Sequence, residues 1–136
     1  TTKVWLKKLI AENKNTCLLG QMVLGEILAC PSVKQLETVH CCLLDVNDFE
    51  RIQRLKNRGT YGADQNMLNW ASWLRMHHQD PQWTPHVIQE NAWDGLDFSL
   101  WKQEKNWPNK VKTKLIDTSK LSIEEVAEQV AGWIRL

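Results

Sequence analysis

Arg51, Arg54 and Arg58 stand three and four residues apart in the sequence. On a helix this spacing puts them along one face. Fixed guanidinium groups stabilise the charge that builds on a transferring phosphoryl group, and their planar forks fit phosphate oxygens. The same row also suits a solvated helix face paired with Glu50, Asp45 or Asp48. The residues alone leave both readings open.

A second group is Asp117, Thr118 and Ser119, which follow a β-prone run and precede a capped helix. Loops at the carboxyl ends of parallel strands often line a ligand crevice. Asp, Thr and Ser also make ordinary turn and cap bonds to the backbone. A third group is Trp70, Trp73 and His77, with Arg75 and His78 beside them. These residues suit an acceptor pocket. A metal reading of the histidines finds no familiar ligand spacing, although Asp80 and His86 are near in sequence. A histidine held at a helix end by the dipole is the simpler account. Six of the eight tryptophans fall between Trp70 and Trp107. Rings at that density build either a core or a ring-lined pocket.

The elements that must carry these groups follow from periodicity. Val4, Trp5, Leu6, Leu9 and Ile10 predict a helix over Thr2 to Glu12. The run Thr16 to Leu19 predicts a short buried strand, bounded by Gly20. A helix over Met22 to Ala29 is weakened by Gly25 and ended by Pro31. Val39 to Leu44 predicts a second strand ending in Asp45. Asn47 or Asp48 caps a helix over Phe49 to Arg58, and Gly59 stops it. Met67, Trp70, Ala71 and Leu74 place a helix over Asn66 to His78. Thr84-Pro85 opens a short helix to Asn91, Phe98 to Gln103 forms a helical turn, and Trp107-Pro108-Asn109 reads as a loop. Val111 to Ile116 is a third strand. Ser122 and Glu125 form a capping box before an amphipathic helix with Val126, Val130, Trp133 and Ile134 on one face.

Strands alternate with helices, which predicts an α/β domain with a parallel sheet of about three readable strands flanked by helices. Residues 1–136 fit one domain with one core. Residues 61–110 read as a tryptophan-rich helical insertion, lid-like or acceptor-like. Hydrophobic residues make up 43% and charged residues 24%, so the chain can afford a core and is not disordered. The net charge of +1 and the lack of a basic stripe argue against nucleic acid as a partner. No apolar run reaches the roughly 20 residues that span a bilayer, so no membrane partner is expected. Cys17, Cys30, Cys41 and Cys42 contain no CxxC pair and read as reduced, buried thiols, hence a cytoplasmic location.

In this order and spacing, three pieces resemble the P-loop nucleoside and nucleotide kinases. Asn15 to Met22 is similar to the third-in-chain strand of that fold. Cys41-Cys42-Leu43-Leu44-Asp45 followed by Phe49 to Arg58 resembles the strand and arginine-bearing lid helix, where R-x-x-R-L-x-x-R is common. Lys114 to Ser119 with the helix from Ser122 to Leu136 is similar to the last strand, base-side loop and closing helix. The resemblance covers both ends of the chain, and the middle from Tyr61 to Lys110 is less typical. A phosphate loop needs G-x-x-x-x-G-K-[ST], and the sequence has no such run; Gly20 and Gly25 lack the following lysine. In the family that loop lies upstream of the segment matched here. Gly20 and Gln21 also stand where many relatives carry an acid that organises magnesium.

The resemblance implies an incomplete P-loop kinase-like architecture, the carboxyl-terminal part of an ATP-dependent small-molecule or nucleotide kinase that is inactive as this isolated chain. Arg51, Arg54 and Arg58 would then serve phosphoryl transfer. Asp117, Thr118 and Ser119 would lie beside the nucleotide base, and Trp70, Trp73 and His77 in the acceptor pocket. ATP and magnesium would be cofactors only once a phosphate loop is supplied, and the chain has no metal site of its own. The alternative is a non-catalytic binding or oligomerising domain derived from that fold, associating through an exposed sheet edge.

Overall fold

In the computed structural model, which describes residues 2–12, 15, 17–20, 23–103 and 107–134, helix α1 spans Thr2–Glu12 as its periodicity predicts. Helix α2 spans Leu24–Leu28, and a 3₁₀ segment over Pro31–Gln35 follows it. Strand β1 is Val39–Asp45. Helix α3, Asp48–Arg58, begins at Asn47, whose side chain accepts from the Glu50 amide at 2.9 Å. It ends at Gly59, whose φ of 64° is the left-handed conformation that favours glycine. Helix α4 spans Gln65–Gln79. Three short helices come next: α5 at His86–Gln89, α6 at Leu100–Gln103 and α7 at Trp107–Lys110. Strand β2 is Val111–Asp117 and helix α8 is Ile123–Ile134.

The fold is α/β, with β1 and β2 paired in a two-stranded parallel sheet. The third strand expected at Thr16 to Leu19 is a correction. Cys17, Leu18 and Leu19 have no strand structure, Leu19 is 93% exposed, and Thr16 lies outside the described residues. A strand of so few residues persists only by pairing and by burying its side chains, and this run buries none of the residues described. The loop expected at Trp107-Pro108-Asn109 is instead the start of α7. Proline is tolerated in a first helical turn, where its missing N–H has no partner to lose. The cysteines are all free, but only Cys30 is buried. Cys17 is exposed, and Cys41 and Cys42 are half-buried on the sheet. No described helix is long and apolar enough to cross a membrane.

The chain forms two compact units. The first comprises residues 1–39 and 80–112. Its core is Cys30, Val33 and Val39, with Ile27, Leu36, Leu96 and Val111 packed against them. Trp101 is buried and donates its indole N–H to the Gly25 carbonyl at 3.0 Å. The Asp97 amide donates to the Ala29 carbonyl at 2.8 Å, so the chain after α5 is tied to the end of α2.

The second unit comprises residues 40–79 and 113–136 and holds most of the sheet. Alternation along β1 sends neighbouring side chains to opposite faces. Cys41 and Asp45 meet His78 and Arg75 of α4, while His40 meets Trp133 of α8 with ring centroids 5.2 Å apart. Helix α4 therefore covers one face of the sheet and α8 the other. The segment 61–110, expected as one insertion, divides at Gln79: α4 belongs to this unit and the rest to the first.

Candidate functional site

The arginine row, Asp117 to Ser119, and Trp70, Trp73 and His77 lie in the second unit, while Asp80 and His86 lie in the first; most of the former gather where β1 and β2 end together. The ends are laced by backbone geometry first. Thr118 donates its amide to the Asp45 carbonyl at 2.8 Å and its hydroxyl to the same oxygen at 2.7 Å. Ser119 accepts the Asn47 amide at 2.8 Å and gives its hydroxyl to Asp117. Thr118 and Ser119 thus splice the loop after β2 onto the start of α3. The Ser119 hydroxyl, with its amide at 2.9 Å, holds the exposed Asp117 carboxyl below its usual range.

Asp45 ends β1 with its side chain largely buried, and it accepts from two arginines. One is Arg51 of α3; the other is Arg75 of α4 at 3.2 Å. Arg51 also donates to the Val46 carbonyl at 3.2 Å. Arg75 grips Asp48 as well, through Nη1 at 3.3 Å and Nη2 at 3.2 Å. Burial opposes the charge of Arg75, but the bonds and charges of Asp45 and Asp48 outweigh it and raise its pKa. Two carboxylates and two guanidiniums therefore neutralise one another at the strand end.

The rest of the α3 row behaves differently. Arg54 donates Nε to Glu50 at 3.0 Å, an i,i+4 pair, and Nη2 to the Thr118 carbonyl at 3.3 Å. Its side chain and that of Glu50 are each 39% exposed. Arg58 is exposed in the last turn, where the helix dipole favours a cation. Along one helix, burial decreases from a brace at Arg51 to a surface cation at Arg58.

The acceptor-pocket candidates form a column. Trp70 stacks on Trp73 at 5.0 Å, and Trp73 stacks on His77 at 4.5 Å. His77 has no exposed surface. At the same helix end, His78 sits between the strands. Its Nε2 meets the Lys114 carbonyl at 3.0 Å, and its Nδ1 lies 4.0 Å from the Cys41 sulfur. Burial lowers the His78 pKa, partly offset by the Lys114 carbonyl. Burial, and then Cys42, push the Cys41 thiol up to about 11. A neutral imidazole donating to Lys114 and accepting from a protonated thiol satisfies all three groups. This pair pins α4 to the sheet and is poorly suited to nucleophilic work, which needs thiolate.

From the sequence, Asp45 reads as a strand end and Asp48 as a candidate helix cap, and both as partners for the arginine row. Sequence spacing does not give Arg75 as the second partner of Asp45, nor the Asn47 amide as a donor to Ser119. The hydrophilic Arg75 on the otherwise apolar stripe of α4 was the available signal. Among the described residues, no group of three or more His, Cys, Asp or Glu side chains is placed to hold a metal ion. Comparison with protein-family models, curated proteins and solved structures finds no match to this chain.

Proposed function

We propose that this chain is the carboxyl-terminal part of an ATP-dependent small-molecule or nucleotide kinase of the P-loop kind, with its nucleotide site at the joined ends of β1 and β2. One observation carries the reading. Arg54 bridges from α3 to the Thr118 carbonyl, so the arginine row and the loop after β2 form one surface. In this reading Arg54 and Arg58 meet phosphate oxygens, and Asp117 to Ser119 flank the base. Transfer itself needs the phosphate loop that the sequence lacks. Magnesium does not fit the acids at the end of β1. Asp45 is already bound by two arginines and Asp48 by one, so a metal would arrive on the nucleotide's own phosphates.

Titration of tryptophan fluorescence with ATP and magnesium tests this. A saturable change is expected, weakened about tenfold by Arg54→Ala through loss of a charge-assisted contact. A flat titration, matched by calorimetry without heat, would remove the nucleotide reading. A second reading, a binding or self-associating domain without catalysis, draws on the sheet. Among the described residues each strand pairs on one side only, and an open edge invites another chain. Light scattering separates the two, since a strict monomer that binds ATP counts against self-association.

A further inference from the structure

We infer that Asp45 is the positioning residue of this surface: by holding α3 against the loop after β2, it sets Arg54 where an anion can meet it. The inference rests on the nucleotide reading above for its ligand, but its geometry stands apart from it. Asp45 ties four segments together. Its carboxylate takes Arg51 from α3 and Arg75 from α4, and its carbonyl takes both the amide and the hydroxyl of Thr118. The bonds of Arg54 go elsewhere, to Glu50 and to the loop after β2. Arg54 reaches the Thr118 carbonyl one residue on from β2. The position of Arg54 therefore depends on two ties that Asp45 makes, one to its own helix through Arg51 and one to its acceptor through Thr118.

Charge accounting supports the division of labour. Asp45 and Asp48 balance Arg51 and Arg75, so this inner cluster offers an anion no net attraction. Among the described residues the ion-pair partner of Arg54 is the part-exposed Glu50, and that pair is screened by solvent. A polyphosphate can displace Glu50 from Arg54 at small cost. It cannot displace Asp45 from Arg51 without stripping a largely buried carboxylate of one of its two arginine partners.

Two opposite signs make this testable. Simple electrostatics says that removing the Asp45 carboxylate, by Asp45→Asn, tightens binding of an anion nearby. The positioning role says that it weakens binding. With ATP and magnesium as the probe, Asp45→Asn is expected to raise the Kd about tenfold, comparable to loss of Arg54 itself. An unchanged or lower Kd would overturn the inference. Thr118→Val is the gentler second variant if Asp45→Asn fails to fold by circular dichroism. It removes only the hydroxyl tie and should raise the Kd by about threefold, from loss of one hydrogen bond. If the wild-type chain binds no ATP, the nucleotide reading fails and the inference is judged without ligand. The Nη protons of Arg54, which face the Thr118 carbonyl, should exchange faster by NMR in either variant than in wild type. Equal exchange in all three proteins would sink it.

Discussion

At the scale of single residues, His78 shows how burial dictates chemistry. It is only 3% exposed and both ring nitrogens face protein atoms, Cys41 on β1 and the Lys114 carbonyl on β2. Charging the ring would cost its desolvation, so its pKa lies below the usual 6.5. The sign of the pH dependence follows. The unfolded chain takes up a proton near 6.5 while the folded chain does not, so protons favour unfolding below that value. The stability is complete above 6.5 and is lost as pH falls through the lower folded pKa. Within that window stability falls as the pH is lowered. Urea unfolding between pH 5 and 8 should show the decline, and His78→Gln should flatten it. A wild-type profile that stays level across that range would show that His78 titrates normally. Residue-scale legibility was uneven for the same physical reason. Spacing along a helix is local, so the Arg51, Arg54 and Arg58 row could be read directly. Which acid each would find was not local, because Asp48 turns to Arg75, 27 residues away, rather than to α3.

At the scale of elements, the ends of helices were the most legible features, because caps are encoded within a few residues. The Ser122–Glu125 box is closed in both directions: the Ser122 amide donates to the Glu125 carboxylate at 2.7 Å, and the Glu125 amide donates to the Ser122 hydroxyl at 3.2 Å. Helix α8 has an apolar face against the sheet but no fully buried residue, so local terms weigh heavily in its stability. Ser122→Ala should therefore cost about 1 kcal/mol, the usual value of a lost N-cap, read as a lower urea midpoint with unchanged slope. Ser122→Asn, which keeps a capping oxygen, should recover most of it. Strands were less legible than helices. Thr16 to Leu19 and Val39 to Leu44 both read as apolar β-prone runs, yet only the latter pairs. The difference lies in the partner: Val39–Asp45 has seven residues with β2 alongside, and a strand's stability comes from cross-strand and same-face neighbours that a short run does not specify.

At the scale of the whole chain, the α/β alternation could be read from periodicity, but the division into two compact units could not. It depends on contacts between residues 1–39 and 80–112, far apart in sequence. What joins the units covalently is more informative than their number. The chain passes between them at Val39–His40, Gln79–Asp80 and Lys112–Thr113. The first and third crossings fall inside β1 and β2, and the second at the end of α4. None is a flexible linker of the Gly/Ser or Pro-rich kind that lets domains unfold separately. The two cores should therefore melt as one. Val33 tests this because it has no exposed surface and lies in the first unit's core. Truncation by Val33→Ala should cost about 2 kcal/mol in lost burial and cavity. If the units are coupled, hydrogen exchange in the variant speeds up in β1 and α4 of the second unit as much as in α2 of the first. Tryptophan fluorescence and far-UV circular dichroism should also lose signal at one common midpoint. Loss of protection confined to residues 2–39 and 80–112, with two separate midpoints, would mean that the strands do not transmit stability across the boundary and that each unit folds on its own account.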